Sequence, residues 1–357
     1  MVKFNQVAET LIKFSDRSPV LNGALCINQR HVHAGRCTAC AEVCPLEAIT
    51  LTPIPAIDPA RCLACGACTA ACPNDALGDP DLMLSAWRTA RRAAEETGHA
   101  AFVCRATGIG PRRDQYAAAP VPCVSAIPAE SYLALAAVGV EQVDLFTADC
   151  TECPLNASLI QAQKAIETSA AALEPLGRVI KVVQQVGLPP QREAGQVGMS
   201  RRALFTSLVN RQPETHEGDS LDAMREAGVG PRRALLLEAL SRMPVPEDAV
   251  WAAHDHHWTD LQIANTCVSC EMCGPLCPTE ALASTVQDDG TVNLWFNAAR
   301  CTACGLCVRA CFKHSISFTE TIAPAALVDG EYVSIWQGKP PDNPLKSKVK
   351  KPLQYTT

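Results

Sequence analysis

The sequence lacks the features that mark a nucleic-acid-binding or membrane-spanning protein. Its formal net charge is −6 at pH 7, and no long basic face is present, which argues against nucleic acid as the main partner. The longest apolar run, residues 132–140, is too short to cross a bilayer. Residues 1–19 have the pattern of an amphipathic helix and not of a secretion signal. We therefore expect a cytoplasmic protein without a membrane span.

Motifs for nucleotide-dependent or hydrolytic chemistry are also missing. No Gly-x-Gly-x-x-Gly sequence follows a predicted strand, and there is no phosphate-binding P-loop. No Ser, His and Asp residues form a credible catalytic arrangement. The sequence alone therefore offers no catalytic residue.

Cysteine, by contrast, is abundant, with 20 residues in a chain of 357. A disulfide-stabilised protein of this cysteine content would be short and secreted, and this chain is neither. Most of the cysteines lie two or three residues apart. This spacing lets neighbouring thiolates converge on one metal centre but strains a disulfide between them. The cysteines therefore indicate metal or iron–sulfur ligation.

Four related segments contain most of these cysteines. They are CTACAEVCPLEAIT from Cys37, CLACGACTAACPNDAL from Cys62, CVSCEMCGPLCPTEAL from Cys267 and CTACGLCVRACFKHSIS from Cys301. The last three contain every cysteine of the iron–sulfur pattern C-x2-C-x2-C-x3-C. Phe312 replaces the proline that usually follows. Because that proline is not a ligand, we expect the fourth run to be intact.

The first run lacks its first cysteine, since Ala34 occupies that position. Cys26 is the main candidate for the missing ligand. The insert from Ile27 to Arg36 would then be a loop that closes back onto the cluster, and loop closure costs little more as a loop grows. Ligation by His31 or His33 and a three-iron cluster are the alternatives.

Residues 20–78 and 260–320 resemble bacterial-type ferredoxins with two [4Fe–4S] clusters. In that family three cysteines of one run and the last cysteine of its partner run bind one cluster. The resemblance implies four sites, in the first of which Cys26 is our candidate for the ligand that the run lacks: site 1, Cys26, Cys37, Cys40 and Cys72; site 2, Cys44, Cys62, Cys65 and Cys68; site 3, Cys267, Cys270, Cys273 and Cys311; site 4, Cys277, Cys301, Cys304 and Cys307.

The segment between the ferredoxin-like pairs has another pattern. Short apolar runs at 99–104, 119–123, 142–150 and 178–183 predict strands, and helical patterns cover 81–96, 129–138 and 156–173. Such alternation predicts a small α/β domain with a parallel sheet. The four remaining cysteines follow the first three strands, at the edge where open α/β sheets bind ligands. This middle site consists of Cys104, Cys123, Cys150 and Cys153.

The middle site has several interpretations. Four thiolates match the ligand count of a [2Fe–2S] cluster, which we favour, but they also suit zinc. Buried structural thiols are the third interpretation.

FVC, ending at Cys104, and PCVSAIPAESYLALAAVGVEQVDLFTADCTEC, ending at Cys153, resemble the iron–sulfur delta subunit of methyl-viologen-reducing hydrogenases. That domain also occurs fused to heterodisulfide-reductase-type flavoproteins. The resemblance implies a [2Fe–2S] cluster that passes electrons between a ferredoxin-type or hydrogenase module and a flavin enzyme. The family usually has a second cysteine just after the first, where this chain has residues 105–107, and its closing cysteines are spaced more widely.

Residues 191–258 have no cysteine pattern and predict helices at 199–210, 220–227 and 231–242. The sequence GIGPRR at 108–113 recurs as GVGPRR at 228–233. It is either a paired basic contact for a partner or anion, or, as we favour, turn chemistry before a helix. The segment from His254 to Trp258 is expected to be a solvated linker rather than a metal site. The basic tail 345–352 is expected to be a flexible arm or a docking strap.

The sequence therefore predicts a multidomain protein that combines α+β and α/β structure. The expected units are a ferredoxin-like domain at 1–78, an α/β iron–sulfur domain at 79–190, a helical linker at 191–258, a second ferredoxin-like domain at 259–322 and an extension at 323–357.

We expect four [4Fe–4S] clusters and one [2Fe–2S] cluster, which relay single electrons between redox partners. The protein would be a non-catalytic subunit of a larger cytoplasmic oxidoreductase, beside a flavoprotein, a hydrogenase or a molybdenum or tungsten enzyme. A reductase with its own active cluster and a cluster-maturation or redox-sensing factor are the alternatives.

Overall fold

The computed structural model describes residues 18–31, 33, 35–52, 54–78, 80–109, 115–192, 220–254 and 257–341. The predicted helix at 199–210 and the basic tail lie outside the described residues, as does nearly all of the N-terminal helix. Within the described ranges, no helix combines the length and the apolar character needed to cross a bilayer.

The N-terminal cysteine region consists of short elements between the cysteines. They are α1 (Ile27–Arg30), α2 (Ala39–Glu42), β1 (Ile49–Thr50), β2 (Ala56–Ile57) and α3 (Ala67–Ala71). Strands β1 and β2 are antiparallel. The two ends of the region meet, since Leu21 forms a β-bridge with Leu77 and the amide of Asn22 donates to Ala76 O. The chain therefore enters and leaves this region at one place.

The middle segment forms the predicted parallel sheet. Its elements are α4 (Pro80–Thr97), β3 (Ala100–Cys104), β4 (Ala119–Val121), α5 (Ala129–Ala137), β5 (Gln142–Thr147), α6 (Leu159–Leu173) and β6 (Lys181–Val186). The strand order is β4-β3-β5-β6, and all neighbours are parallel. Strand β3 is buried along its whole length, as its unbroken apolar sequence predicts. The prediction of a parallel-sheet α/β domain is therefore confirmed.

Helices α7 (Ser220–Glu226) and α8 (Pro231–Arg242) follow, then strand β7 (Trp251–Ala252). Proline at the first position of α8 has no amide hydrogen to satisfy, which suits a helix start. Helix α8 packs against α5 through buried side chains such as Leu235 and Leu236. It therefore belongs to the core of the molecule.

The expectation of a solvated linker at 254–258 is wrong for its C-terminal part. Trp258 is 2% exposed, and its ring stacks on that of Trp251 at 4.6 Å between centroids. The His257 side chain is 11% exposed. The polar composition suggested a linker. The apolar indole of Trp258 and the contact of His257 with Glu130 instead favour burial.

The C-terminal cysteine region again consists of short elements. They are β8 (Leu261–Ile263), α9 (Cys273–Leu276), β9 (Leu282–Val286), β10 (Val292–Phe296), α10 (Leu306–Ala310), β11 (Ile316–Phe318), β12 (Thr321–Ile322), α11 (Ala325–Val328) and β13 (Val333–Gly338). Strand β13 pairs with β10, in the sheet order β13-β10-β9. Part of the predicted extension is therefore an integral strand. One continuous group of buried apolar side chains extends from Leu84 to Leu327.

Candidate iron–sulfur sites

The four thiols of site 1 line one cavity. Cys26 caps the N-terminus of α1, Cys37 and Cys40 lie at α2, and Cys72 ends α3. Burial, followed by the nearby sulfurs of the other three cysteines, raises the pKa of Cys40 to about 12. The structure thus brings Cys26 to the predicted position.

The insert after Cys26 begins as helix α1 and not as the predicted loop. The side chain of Asn28, on this helix, then fixes the return of the chain: its amide nitrogen donates to Cys37 O at 2.8 Å, and its oxygen accepts from the Cys37 amide at 2.9 Å. Gly35 allows the close approach, since a Cβ there would lie 2.5 Å from Ile27 O. Neither His31 nor His33, both of them described, lines the cavity.

Site 2 surrounds a second cavity, which its four cysteines line together. Burial raises the pKa of Cys65 to about 12 and raises that of Cys68 further. The neighbours that add to the shift at Cys68 are Cys65, Cys62 and Cys44 of the same site and Cys40 of site 1. Sites 1 and 2 are therefore adjacent, and Ile49 and Ile57 line both cavities.

The C-terminal cysteines act electrostatically on one another. Burial and then the charges of Cys270 and Cys267 bring the pKa of Cys273 to about 11, as expected within site 3. Burial, assisted by Cys304 and Cys277, raises the pKa of Cys301 to about 12 within site 4.

The cysteine runs share an unusual backbone conformation. Positive φ angles recur three residues after the last cysteine of each run, at Glu47, Asp75, Glu280 and His314, with values of 47°, 52°, 56° and 51°. They also recur two residues after the first cysteine of the three complete runs, at Ala64, Ser269 and Ala303. Residues other than glycine rarely adopt this conformation without a reason. The fourth run, with Phe312 in place of proline, has the same conformation as the others.

These turns direct backbone amides at sulfur atoms. After the last cysteine of a run, Ala48 N, Ala76 N and Ser315 N donate to Cys44, Cys72 and Cys311 at 3.2–3.3 Å. After the first cysteine, Ala64 N and Ala303 N donate to Cys62 and Cys301 at 3.4 Å. Hydrogen bonds to ligand sulfurs favour the thiolate and help to set cluster potentials.

The four cysteines of the middle site line a third cavity at the carboxyl edge of the sheet. Cys104 ends β3, Cys123 follows β4, and Cys150 and Cys153 follow β5. A hydrogen bond from Cys104, with further ones from Ser125 and Ser158, lowers the pKa of Cys123. The same interaction raises the pKa of Cys104. The site thus already favours negative charge on at least one sulfur.

The sites fit iron–sulfur clusters by the chemistry of their donors. All 20 cysteines are free thiols. The four cysteines of site 1, of site 2 and of the middle site each line a single cavity. In the described part of the chain, no three His, Cys, Asp or Glu side chains form a group that could hold a metal ion. This finding is compatible with iron–sulfur clusters. The ligands of a cluster bind different irons, so they lie farther apart than the ligands of a single metal ion. Ligation itself stays a prediction.

Sites 1 and 4 meet at a junction between the two cysteine regions. Ile27 and Leu306 form a small buried core against which Cys37 and Cys304 pack. Arg30, on helix α1, donates to Leu276 O at 2.9 Å and to Cys277 O at 3.3 Å. The Thr302 hydroxyl donates to the side-chain oxygen of Asn74 at 2.5 Å. Two distant parts of the sequence therefore place their sites side by side.

An ionic network that the sequence analysis missed lies beside this junction. Glu130 receives two hydrogen bonds from Arg232, at 3.0 and 3.2 Å, and His257 Nδ1 lies 2.9 Å from it. Arg232 also donates to Cys72 O. Burial opposes ionisation of Glu130, but the charge of Arg232 and the contact with His257 hold the pKa of Glu130 well below its usual range.

The other titratable members of the network are shifted by burial. Burial raises the pKa of Asp75 to about 7. Asp75 also accepts a hydrogen bond from the Arg232 amide. Burial lowers the pKa of His257 to about 4. The sequence signal was the repeated Gly-Pro-Arg-Arg. Its second copy does begin a helix, but both arginines are buried, with 4% and 5% exposure.

Site 2 meets the middle site at a second junction. Leu155 lines both cavities. Gly66, at the start of α3, approaches Ala126 so closely that a Cβ would lie 2.7 Å from the Ala126 Cβ. Cys123 adds electrostatically, after burial, to the raised pKa of Cys65.

Residues 35–76 match the family model of the 4Fe-4S dicluster domain. The match covers sites 1 and 2 apart from Cys26, and it supports an iron–sulfur electron-transfer role. No curated protein and no solved structure matches this chain.

Proposed function

We propose that this protein is an electron relay with five iron–sulfur clusters in the order middle site, site 2, site 1, site 4, site 3. The observation that carries the proposal is the contact of each site with the next. Leu155 lies between the middle site and site 2, and Ile49 and Ile57 lie between sites 2 and 1. The Ile27–Leu306 core joins sites 1 and 4.

The last step of the order joins sites 4 and 3. Burial and the sulfurs of site 4 raise the pKa of Cys307, and Cys273 of site 3 adds to this rise. Helices α9 and α10, which hold Cys273 and Cys307, also contact each other. We infer that site 3 is one end of the relay and that the middle site is the other.

Clusters held by four thiolates supply one-electron transfer without an open coordination position. The chain supplies the thiols and the backbone amides that donate to them. Four thiolates at each site match the ligand count of a [4Fe–4S] or a [2Fe–2S] cluster, and we propose [4Fe–4S] clusters at sites 1 to 4 and a [2Fe–2S] cluster at the middle site. No step in this function requires a catalytic side chain.

The two ends differ in their exposure, since Cys104 and Cys123 of the middle site are buried and site 3 is more open. Cys270 of site 3 is exposed, and so are the nearby Met272 and Phe312, at 57% and 64%. We propose that other oxidoreductase subunits exchange electrons with the two ends of the relay. A flavoprotein, a hydrogenase or a molybdenum or tungsten enzyme would fit such a role.

The test is the iron and sulfide content of the anaerobically purified chain together with electron paramagnetic resonance (EPR). Four [4Fe–4S] clusters and one [2Fe–2S] cluster require about 18 irons. About 16 irons and one zinc would make the middle site structural. Iron at sites 1 and 2 only would contradict the continuous relay.

Cys26→Ala tests the first site within the same experiment. The variant should lose one four-iron signal or convert it to a three-iron signal. Cys267→Ala, at the first cysteine of the third run, is the matched control and should change a different signal. Unchanged spectra in Cys26→Ala would show that Cys26 is not a ligand and would favour His31, His33 or a native three-iron cluster.

A further inference from the structure

Arg233 is a buried cation whose contacts differ from those of its neighbour Arg232. Its Nη2 donates to the backbone oxygens of Cys301 and His257. Its Nη1 is buried and has no hydrogen-bond partner in the described part of the structure. A guanidinium remains protonated in proteins, so a full positive charge lies there.

No described carboxylate pairs directly with Arg233, although Glu130 and Asp75 lie close enough to act on its charge. Glu130 binds Arg232 at 3.0 Å and also contacts His257. Asp75 accepts from the Arg232 amide. Among the described ion pairs, none joins Arg233 to a carboxylate. A buried charge without a directly paired counter-ion is costly, which favours a further negative group close to Arg233.

Site 4 supplies the position of that group. Arg233 donates to the carbonyl of Cys301, whose sulfur belongs to this site. A cluster with four thiolates is an anion, and it becomes more negative when it accepts an electron. We infer that Arg233 is the internal counter-ion of the site 4 cluster and that it favours the reduced form of this cluster. The inference rests on the proposed function, since it requires a cluster at site 4.

Arg309 offers a matched comparison at the same site. It donates to Cys304 O at 2.9 Å, but its side chain is exposed. Water and salt screen an exposed charge far more than a buried one. The two arginines therefore separate the effect of a buried charge from that of any arginine beside a ligand carbonyl.

The experiment is an EPR-monitored redox titration of the full chain with Arg233→Met, Arg233→Lys and Arg309→Met. Arg233→Met should lower the equilibrium constant for reduction of one [4Fe–4S] cluster at least tenfold, which is about 59 mV for one electron. Arg309→Met and Arg233→Lys should change it less than twofold. The shifted signal should be the one that Cys304→Ala removes.

Several results would overturn the inference: no shift in Arg233→Met, an equal shift in Arg309→Met, or a shift confined to another cluster. If Arg233→Met does not fold, Arg233→Gln decides, because it also removes the charge but keeps a polar side chain. The tenfold fall is expected there too, and no shift would overturn the inference. A tenfold fall in Arg233→Lys would then show a positioning role and not a counter-ion. Wild-type protein without a cluster at site 4 would instead overturn the proposed function, which iron analysis detects separately.

Discussion

The two cysteine regions have nearly the same sequence pattern but different surroundings. The N-terminal region is held on several sides: Gly66 touches the middle segment, Arg232 binds the Cys72 carbonyl, and Arg30 reaches the C-terminal region. The C-terminal region is buried at site 4 but open at site 3, where Cys270 and Phe312 are exposed. The two regions therefore share a ligand pattern, while the rest of the fold decides which of their sites is enclosed and which is exposed.

The largest effect on stability is expected where the N-terminal region joins α8. Glu130→Gln removes the charge that balances Arg232, and unpairing a buried ion should lower the free energy of unfolding by about 3–5 kcal/mol. Urea denaturation of the anaerobic protein measures this. Asp222→Asn is the control, because its pair with Arg88 is partly exposed, at 49% and 28%, and should contribute less than about 1 kcal/mol. Equal losses of unfolding free energy in Glu130→Gln and Asp222→Asn would show that the buried network does not stabilise the junction.

The same network should make the junction sensitive to acid through His257. Burial lowers its pKa to about 4 from 6.5, so the unfolded chain binds more protons between these values. Stability from this residue is therefore present above pH 6.5 and is lost as the pH falls towards 4, by up to about 3 kcal/mol. His257→Gln should reduce the acid-induced loss, measured by urea denaturation at several pH values.

Asp75 has the opposite dependence, because its pKa is raised to about 7 and its contribution falls as the pH rises from 3.8 to 7. Asp75 is present in the wild type and in His257→Gln. The difference between their pH profiles of stability therefore reports on His257 alone. Identical pH profiles would contradict the role of His257.

A matched pair of glycines compares the two regions directly. Gly66 and Gly305 occupy the same position in their runs, with φ of 83° and 72°. Alanine at either position should cost about 1–2 kcal/mol from the left-handed conformation. Gly66→Ala should cost more, since its Cβ would meet Ala126 at 2.7 Å, whereas at Gly305 it would meet the movable end of Arg309. A larger loss in Gly305→Ala, measured by thermal unfolding, would contradict this view of the junction.

The smallest effect is expected at the open end of the C-terminal region. Phe312→Pro restores the residue that follows the last cysteine in the other three runs. Because Phe312 is exposed and the turn after it already matches the other runs, the change in stability should stay within about 0.5 kcal/mol. Iron content should be unchanged. Loss of a [4Fe–4S] signal would show that Phe312 has a role at site 3 that its exposure hides.

Much of the fold followed from local patterns. The unbroken apolar run at 100–104 predicted a buried parallel strand, and α8 begins and ends at the predicted residues 231 and 242. The burial of His257 and Trp258 was not predicted. The partner of His257, Glu130, lies 127 residues away along the chain. Trp258 packs against Trp251, and the polar residues between them suggested exposure. Polar composition cannot show that a carboxylate far away in the sequence contacts a histidine in the folded protein.

The sequence by itself determined the spacing of the cysteines within each run, because that spacing is local. Only the tertiary structure decided how the sites follow one another, through contacts between residues such as Ile27 and Leu306. It also decided that Arg233 lies beside Cys301, 68 residues away, in a place without a directly paired carboxylate among the described residues. Burial and charge balance depend on every element that packs around a point, and no local pattern contains that information.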